Sequence, residues 1–320
     1  MNNTLQKVVE ILDSAKDIAC FVHKSPDGDA LGSALAVYNF YKDKKVRIWS
    51  PTGYPEFYGF LPGVENVRVY NDFSEVEKAE VALFLDCGDI GRVPGFDRSI
   101  FKTIINIDHH ESNSGFAHYN IVDPSAPSTT TLLYEILKNS KKGTIDSIVA
   151  KCLYTGLYTD TGGFRYSNTT AYAFGVAASL ISYGINPSEI AFEVYESYPF
   201  RRMKLLALAL NTLELYFNGR VSVMTVYKEF FEKTGSLAED TEDFVNYARA
   251  IKGVEVAIFI RERLSGGVKI SLRSKNYLNV AEIARNFGGG GHFHAAGCEM
   301  DLPPEVAKKK LLEVIAGKLS

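Results

Sequence analysis

The chain has 320 residues, 46% hydrophobic and 23% charged, with a formal net charge of -3. That length suits about two domains of the usual ~100–200 residues each, and the composition is that of a folded globular protein rather than a disordered one. The charge balance excludes the extended basic surface that long nucleic acid requires, and no apolar run reaches the ~18 residues of a membrane span. In chain order, MNNTLQKVVEILDSAK spaces Leu5, Val8, Val9 and Leu12 as an amphipathic helix, without the apolar centre of a signal peptide. Short apolar runs predict strands over Ile18–Val22, Val46–Trp49, Val81–Leu85 and Thr103–Ile107, alternating with helices over Ala30–Phe40, Ser128–Lys138 and Ile145–Tyr158. This alternation predicts an α/β fold with a mostly parallel sheet covered by helices on both faces. A helix follows from Asn168-Thr169-Thr170 through Tyr183, and Pro187 opens further helical sequence to about Tyr216. From Arg220 the pattern restarts, with strands Val221–Tyr227, Val254–Arg261 and Val268–Arg273, and helices Glu242–Ile251 and Val280–Phe287. Asn218-Gly219 and Ser265-Gly266-Gly267 read as turns, the second as a hairpin loop. The expected domains are 1–185, a helical linker 186–215, and a smaller α/β domain 216–320. Cys20, Cys87, Cys152 and Cys298 form no CxxC pair, which predicts reduced thiols and a cytoplasmic protein.

Polar clusters fall at the carboxyl ends of the predicted strands, where parallel sheets bind ligands. HKSPDGD, with His23, Asp27 and Asp29, follows the first strand. DCGD, with Asp86 and Asp89, closes the third, and Asp108-His109-His110 closes the fourth. Asp160 lies in YTGLYTDTGGF. Each cluster alone has an ordinary explanation, since Asp after a strand commonly caps the next helix and a His pair is commonly a surface feature. Together, carboxylates and a few imidazoles crowded at one sheet edge require compensating positive charge. The oxygen-rich donor set suits a hard divalent cation such as Mn²⁺ or Mg²⁺ better than zinc, and two ions sharing a carboxylate are the usual device for splitting a phosphate ester. A second cluster, GGGGHFHAAG, follows a predicted helix rather than a strand, the wrong order for a P-loop or a dinucleotide fingerprint. It reads either as a helix C-cap with a turn, or as a backbone that lets an anion approach its N–H groups.

HKSPDGDALGS, LDCGD, IDHH and GLYTDTGGF, in that order, resemble the four motifs of the DHH phosphoesterase superfamily, and GGGGHFHAAG resembles its DHHA1 type of substrate domain. The resemblance spans nearly the whole chain. It implies that His23, Asp27 and Asp86 hold one Mn²⁺, and that Asp29, Asp86, His109 and Asp160 hold a second, with Asp86 bridging; Mg²⁺ is the alternative metal. It also implies catalytic roles for Asp108, orienting a neighbouring His, and for His110, facing the scissile phosphate. Gly289, Gly290, Gly291, His292 and Arg273 would bind a substrate phosphate. His294 and His118 carry no expected role beyond structure.

Within the superfamily, the length and the DHHA1-like motif match the stand-alone nanoRNase and pAp-phosphatase branch. That branch implies hydrolysis of short oligoribonucleotides to mononucleotides, or removal of the 3′-phosphate of adenosine 3′,5′-bisphosphate (pAp). It further implies a homodimer, with no membrane and no long nucleic acid as partners. A phosphodiesterase for c-di-AMP or linear dinucleotides shares the same motifs. A non-catalytic nucleotide-binding regulator is the reading from another class, and its signature would be degenerate ligand positions.

Overall fold

The run DIACF forms a central strand because water reaches neither of its faces: Ile18 and Cys20 point into one apolar core and Ala19 and Phe21 into another. The computed structural model describes residues 3–319, so Met1, Asn2 and Ser320, the outermost residues of the expected domains, lie outside the described residues. The chain divides into two compact units, Met1–Ser197 and Tyr198–Ser320.

The first unit runs α1 (Asn3–Ser14), β1 (Asp17–Phe21), α2 (Gly28–Phe40), β2 (Lys45–Ser50), β3 (Val67–Val69), β4 (Ala79–Leu85), β5 (Phe101–Asp108), β6 (Tyr119–Val122), α3 (Thr129–Asn139), α4 (Ser147–Asp160), α5 (Ala171–Ile181) and α6 (Pro187–Tyr195). Its six strands are ordered β3-β2-β1-β4-β5-β6, and every pairing is parallel. The chain builds outward from β1 to β3, then returns to place β4 on the other side of β1. The loops after β1 and β4 therefore diverge over a crevice at the carboxyl ends of the strands, where such sheets bind ligands. One sheet face packs against α1, α2 and α3 through residues such as Leu31, Leu35 and Leu133, and α4 to α6 extend the same core behind them with residues such as Leu153 and Leu180. The other is covered by single 3₁₀ turns and an aromatic cluster in which Phe21, Phe73, Phe84, Phe96 and Phe101 interlock, Phe96 stacking on Phe101 at 5.5 Å between centroids. The edge strands β3 and β6 escaped the sequence reading because, at three and four residues, with VRV two-thirds exposed, they lack an apolar run.

α2 is buried around most of its circumference, which an unbroken GDALGSALAV predicts for a helix clamped on two sides. Its partner is α4, and glycines set the approach. A Cβ on Gly32 would lie 2.5 Å from Cys152 O, and one on Gly156 would lie 2.4 Å from Thr130 Cγ2 and 2.9 Å from Asp29 Oδ1.

The second unit runs α7 (Phe200–Leu210), β7 (Glu214–Tyr216), β8 (Val221–Val226), α8 (Lys228–Thr234), α9 (Phe244–Arg249), β9 (Val256–Glu262), β10 (Val268–Ser274), α10 (Val280–Arg285), β11 (Gly290–His292), β12 (Ala295–Met300) and α11 (Pro304–Ala316). Its sheet order is β11-β12-β10-β9-β8-β7, with only β8 and β9 parallel. The expectation of helix through Tyr216 is corrected here: α7 ends at Leu210, and Glu214–Tyr216 pairs with β8 as an edge strand. Phe217, Asn218 and Gly219 all take positive φ, so the turn seen in the sequence closes a hairpin, and a hairpin needs a strand on each side. The glycine run is also more ordered than a loose turn. Gly288 and Gly289 close α10, donating to Arg285 O and Ala284 O, and Gly290 and Gly291 enter β11.

Candidate metal centre

Each expected residue of the first unit enters the site by a local device. β1 ends at Phe21, and His23 follows it, buried, with Nδ1 3.0 Å from Lys24 O and Nε2 3.4 Å from Asp86 Oδ2. Asp27 is the N-cap of α2: its Oδ1 accepts from Asp29 N and Ala30 N at 3.1 and 3.0 Å. Capping and clustering are therefore compatible, because one donor atom from each of His23, Asp27 and Asp86 lies within 4.8 Å of the others. Asp29, the second residue of α2, is buried against the first turn of α3, where Thr129 N and Thr130 N donate to its two oxygens at 2.6 and 2.9 Å.

Asp86 follows β4 directly and holds a left-handed φ of 56°, which aims its carboxylate into the crevice. Its two oxygens face different neighbours. Oδ2 meets His23, while Oδ1 lies 3.6 Å from His109 Nε2, 3.5 Å from His110 Nδ1, and accepts from Thr129 Oγ1 at 3.1 Å. Asp108 ends β5, and its Oδ1 lies 2.7 Å from His110 Nδ1 while Oδ2 accepts from Asn113 Nδ2 at 2.5 Å. His109 Nδ1 lies 3.2 Å from Ala126 O, so its proton goes to a carbonyl and Nε2 faces Asp86, Asp29 at 3.9 Å and Asp160 at 3.6 Å. Asp160 is the last residue of α4, with Asn168 Nδ2 3.3 Å from its Oδ2. Asp89 stays outside, exposed, capping a 3₁₀ turn through Gly91 N. His118 accepts from Ile104 N, a structural contact.

The charge state of the cluster tests whether a cation fits. Burial raises Asp29 well above the usual carboxylate range, and Asp86 and Asp160 add to the rise. Burial likewise pushes Asp160 up to about 6, with His109 opposing and Asp86 and Asp27 reinforcing. Burial favours neutral His109, but Asp160, Asp86 and Asp29 override it and lift its pKa to about 10. Asp86 is held low despite burial, because His110, His23 and His109 surround it. The cluster thus concentrates more negative charge than its imidazoles offset, and it draws in protons where a divalent ion would serve. The donors are carboxylate oxygens and imidazole nitrogens. Cys87 is no competitor: burial pushes its thiol up to about 12, and Sγ donates to Asp89 O. Two adjacent groups, His23–Asp27–Asp86 and Asp29–His109–Asp160, fit a hard divalent cation, and Asp86 links them because its Oδ1 also faces the second.

Sequence reasoning missed the residues that aim these ligands: Thr129, Thr130, Asn113, Asn168 and Asn106, whose amide donates to Cys87 O and whose Oδ1 accepts from Asn113. The available signal was SAPSTTT at the start of a predicted helix, where a capped helix start offers free N–H groups to an anion.

In the second unit, the strand register aligns Arg273 with Ala295 and Ala295 with His292, so all three share one row on one sheet face. Gly289 and Gly291 are demanded by close backbone: a Cβ would lie 2.1 Å from Gly297 O or 2.4 Å from Ala295 O. Gly290 is different, since a Cβ there meets nothing within 4 Å. His294 Nδ1 lies 2.9 Å from Ser274 Oγ, a contact that fastens the hairpin.

The family model for the DHH family, N-terminal domain, matches residues 17–157, and the DHHA1 domain model matches residues 219–320. The bifunctional oligoribonuclease and PAP phosphatase NrnA of Thermus thermophilus is 33% identical over 319 residues, 99% of this chain and 94% of that protein. This chain belongs to the DHH family. A similarly named Bacillus subtilis protein is 26% identical to this DHH-family chain over 94% of it and 93% of the relative. The crystal structure of an exopolyphosphatase-related protein from Bacteroides fragilis superposes with a TM-score of 0.89 at 29% identity, covering 98% of this chain and 96% of that one. DHH-family phosphoesterases are metal-dependent hydrolases, and this member carries the acidic and histidine clusters such an enzyme needs. Among the described residues no helix is long and apolar enough to cross a membrane.

Proposed function

We propose that this phosphoesterase uses two Mn²⁺ ions to hydrolyse short oligoribonucleotides to mononucleotides and to remove the 3′-phosphate of pAp. The observation that carries the reading is Asp86, whose two oxygens face His23 on one side and His109 on the other. His23, Asp27 and Asp86 would hold one ion, and Asp29, Asp86, His109 and Asp160 the other. Such a pair neutralises phosphate charge and acidifies a water. The chain's own residues do the positioning. Thr129 and Thr130 orient Asp86 and Asp29, and the Ala126 carbonyl keeps the proton of His109 on Nδ1. Asp108 holds His110 through Nδ1, leaving Nε2 as the atom that carries a proton at the leaving oxygen.

In the second unit we assign Arg273, Gly289, Gly290, Gly291 and His292 to a phosphate of the substrate. The support is the shared row of Arg273 and His292 and the open space at Gly290, which no packing demand of the chain explains. Gly290→Ala is therefore expected to leave the melting temperature unchanged and to raise KM by about tenfold, the loss of one close phosphate contact at roughly 1.4 kcal/mol. Arg273→Ala is expected to lower kcat/KM while Mn²⁺ binding, read by calorimetry, is retained; loss of metal would contradict the assignment.

The remaining parts of the reading are a homodimer and a cytoplasmic setting. α5 supports the first: its 11 residues include no charge, and Tyr172, Phe174 and Ile181 are exposed. Four free, buried cysteines support the second. The deciding experiment offers pAp, pApA, c-di-AMP and two- to five-unit RNAs with Mn²⁺, with Mg²⁺ and after chelation. Mn²⁺-dependent release of mononucleotide from the short RNAs and of AMP from pAp is expected. Turnover of c-di-AMP alone would move the assignment to the cyclic dinucleotide, and no turnover of any compound would favour a regulator.

A further inference from the structure

Arg92 brings a guanidinium to the metal centre with no carboxylate to meet it. It ends the 3₁₀ turn Ile90–Arg92, six positions beyond Asp86, and its backbone is tied on both sides: Arg92 N donates to Asp89 O at 3.1 Å, and Lys24 N donates to Arg92 O at 3.1 Å. The half-buried side chain makes no ion pair within 4.0 Å among the described residues, and Nη2 lies 2.8 Å from His23 Nδ1. That nitrogen is also 3.0 Å from Lys24 O. An imidazole that turns the lone pair of Nε2 toward a cation carries its proton on Nδ1 and gives it to the carbonyl. It then has nothing with which to accept from Arg92, whose guanidinium has five N–H donors and no acceptor.

The carboxylates of the centre have partners of their own, and Arg92 is not among them. Asp27 Oδ1 caps α2, both oxygens of Asp29 serve α3, Asp86 serves Thr129 and the imidazoles, and Asp108 serves His110 and Asn113. No carboxylate of the described residues lies within 4.0 Å of Arg92, so its remaining N–H groups are open to solvent and to a bound anion, and in a phosphoesterase the anion that arrives at the metal centre is the substrate. A planar fork of N–H groups matches phosphate oxygens in pairs. We propose that Arg92 binds the non-bridging oxygens of the phosphate being cleaved, on the His23 side of the centre, and stabilises the charge that grows on them as the phosphorus is attacked. The inference rests on the proposed phosphoesterase reading and adds to it a residue outside the motifs that identify the family.

The test uses Arg92→Met and Arg92→Lys in the full chain with Mn²⁺ and a diribonucleotide. Removing one preorganised donor of this kind costs about 10²-fold or more in kcat/KM, so Met is expected to lose that much and Lys, which keeps the charge but not the fork, about tenfold. Calorimetry should show Mn²⁺ affinity within about threefold of wild type, far less than the tenfold or greater loss expected of a residue that supports a metal ligand. Competitive inhibition by AMP should weaken in both variants, and added guanidinium should partly restore Arg92→Ala. Wild-type kcat/KM and wild-type AMP inhibition in Arg92→Met would overturn the proposal. So would an equal loss in Met and Lys that parallels a loss of Mn²⁺ affinity, which would make Arg92 a prop for His23. If wild-type protein cleaves none of the compounds, the functional reading fails instead, and AMP binding to wild type and Arg92→Met, followed by calorimetry, still decides whether Arg92 holds a phosphate.

Discussion

Asp86→Asn is expected to lower kcat/KM by at least about 10³-fold, because losing metal coordination forfeits several kcal/mol of transition-state stabilisation. Asn is the informative replacement. It tolerates the left-handed φ of 56° at this position and keeps the volume of the side chain, so the fold should survive. The variant removes the charge that His110, His23 and His109 hold ionised, so its melting temperature without metal should fall modestly. The stabilisation that wild-type protein gains on adding Mn²⁺ should largely disappear, because a ligand stabilises only in proportion to its affinity for the folded state. Calorimetry of Mn²⁺ binding and thermal scans with and without metal check both parts. Substantial turnover by Asp86→Asn, or an undiminished thermal gain with Mn²⁺, would remove Asp86 from its bridging place.

Gly156→Ala is expected to be nearly as damaging although it removes no charged group. The added methyl would meet Thr130 Cγ2 at 2.4 Å, Thr130 Oγ1 at 2.8 Å and Asp29 Oδ1 at 2.9 Å. α4, α3 and the Asp29 carboxylate cannot all stay where they are. Overpacking of this kind costs about 1–3 kcal/mol, and in a protein with units of this size each kcal/mol lowers the melting temperature by roughly 2–4 °C. A displacement of about 1 Å in a positioned group costs on the order of 10²-fold in rate, so activity should fall much further than stability suggests. The contrast with Gly290→Ala separates the two uses of glycine: one should cost stability and turnover together, the other only substrate affinity. Gly156→Ala with wild-type kcat/KM would show that the α4 approach does not position Asp29.

The residues legible in the sequence are those whose chemistry is costly to hide. His23, Asp27, Asp29, Asp86, Asp108, His109, His110 and Asp160 stand out because charged groups directly after buried strands or in turn-rich segments demand a counter-charge. β1, β2, β4 and β5 stand out because strands buried on both faces read as continuous apolar runs. Thr129, Thr130, Asn113 and Asn168 did not stand out. Ser, Thr and Asn cap helices and shape turns everywhere, and only the fold shows that these four point at Asp86, Asp29, Asp108 and Asp160. α11 was legible and went unread: Ala307, Leu311 and Ile315 recur every four residues behind Pro304. β7 was misread as helix because three residues carry too little pattern to mark a strand.

By itself the sequence determined the kind of chemistry, since donor type and strand-end placement follow from residue identity and from patterns that repeat within a few positions. Tertiary structure decided the rest: that Asp86 faces His23, His109 and His110 at once, that Gly156 makes room for Asp29, that Arg273 and His292 share a row, and that Arg92 reaches His23. These facts depend on which elements pack together and on the register of strands distant in the chain. No local pattern encodes them, because the energies that select them arise only when the distant segments meet.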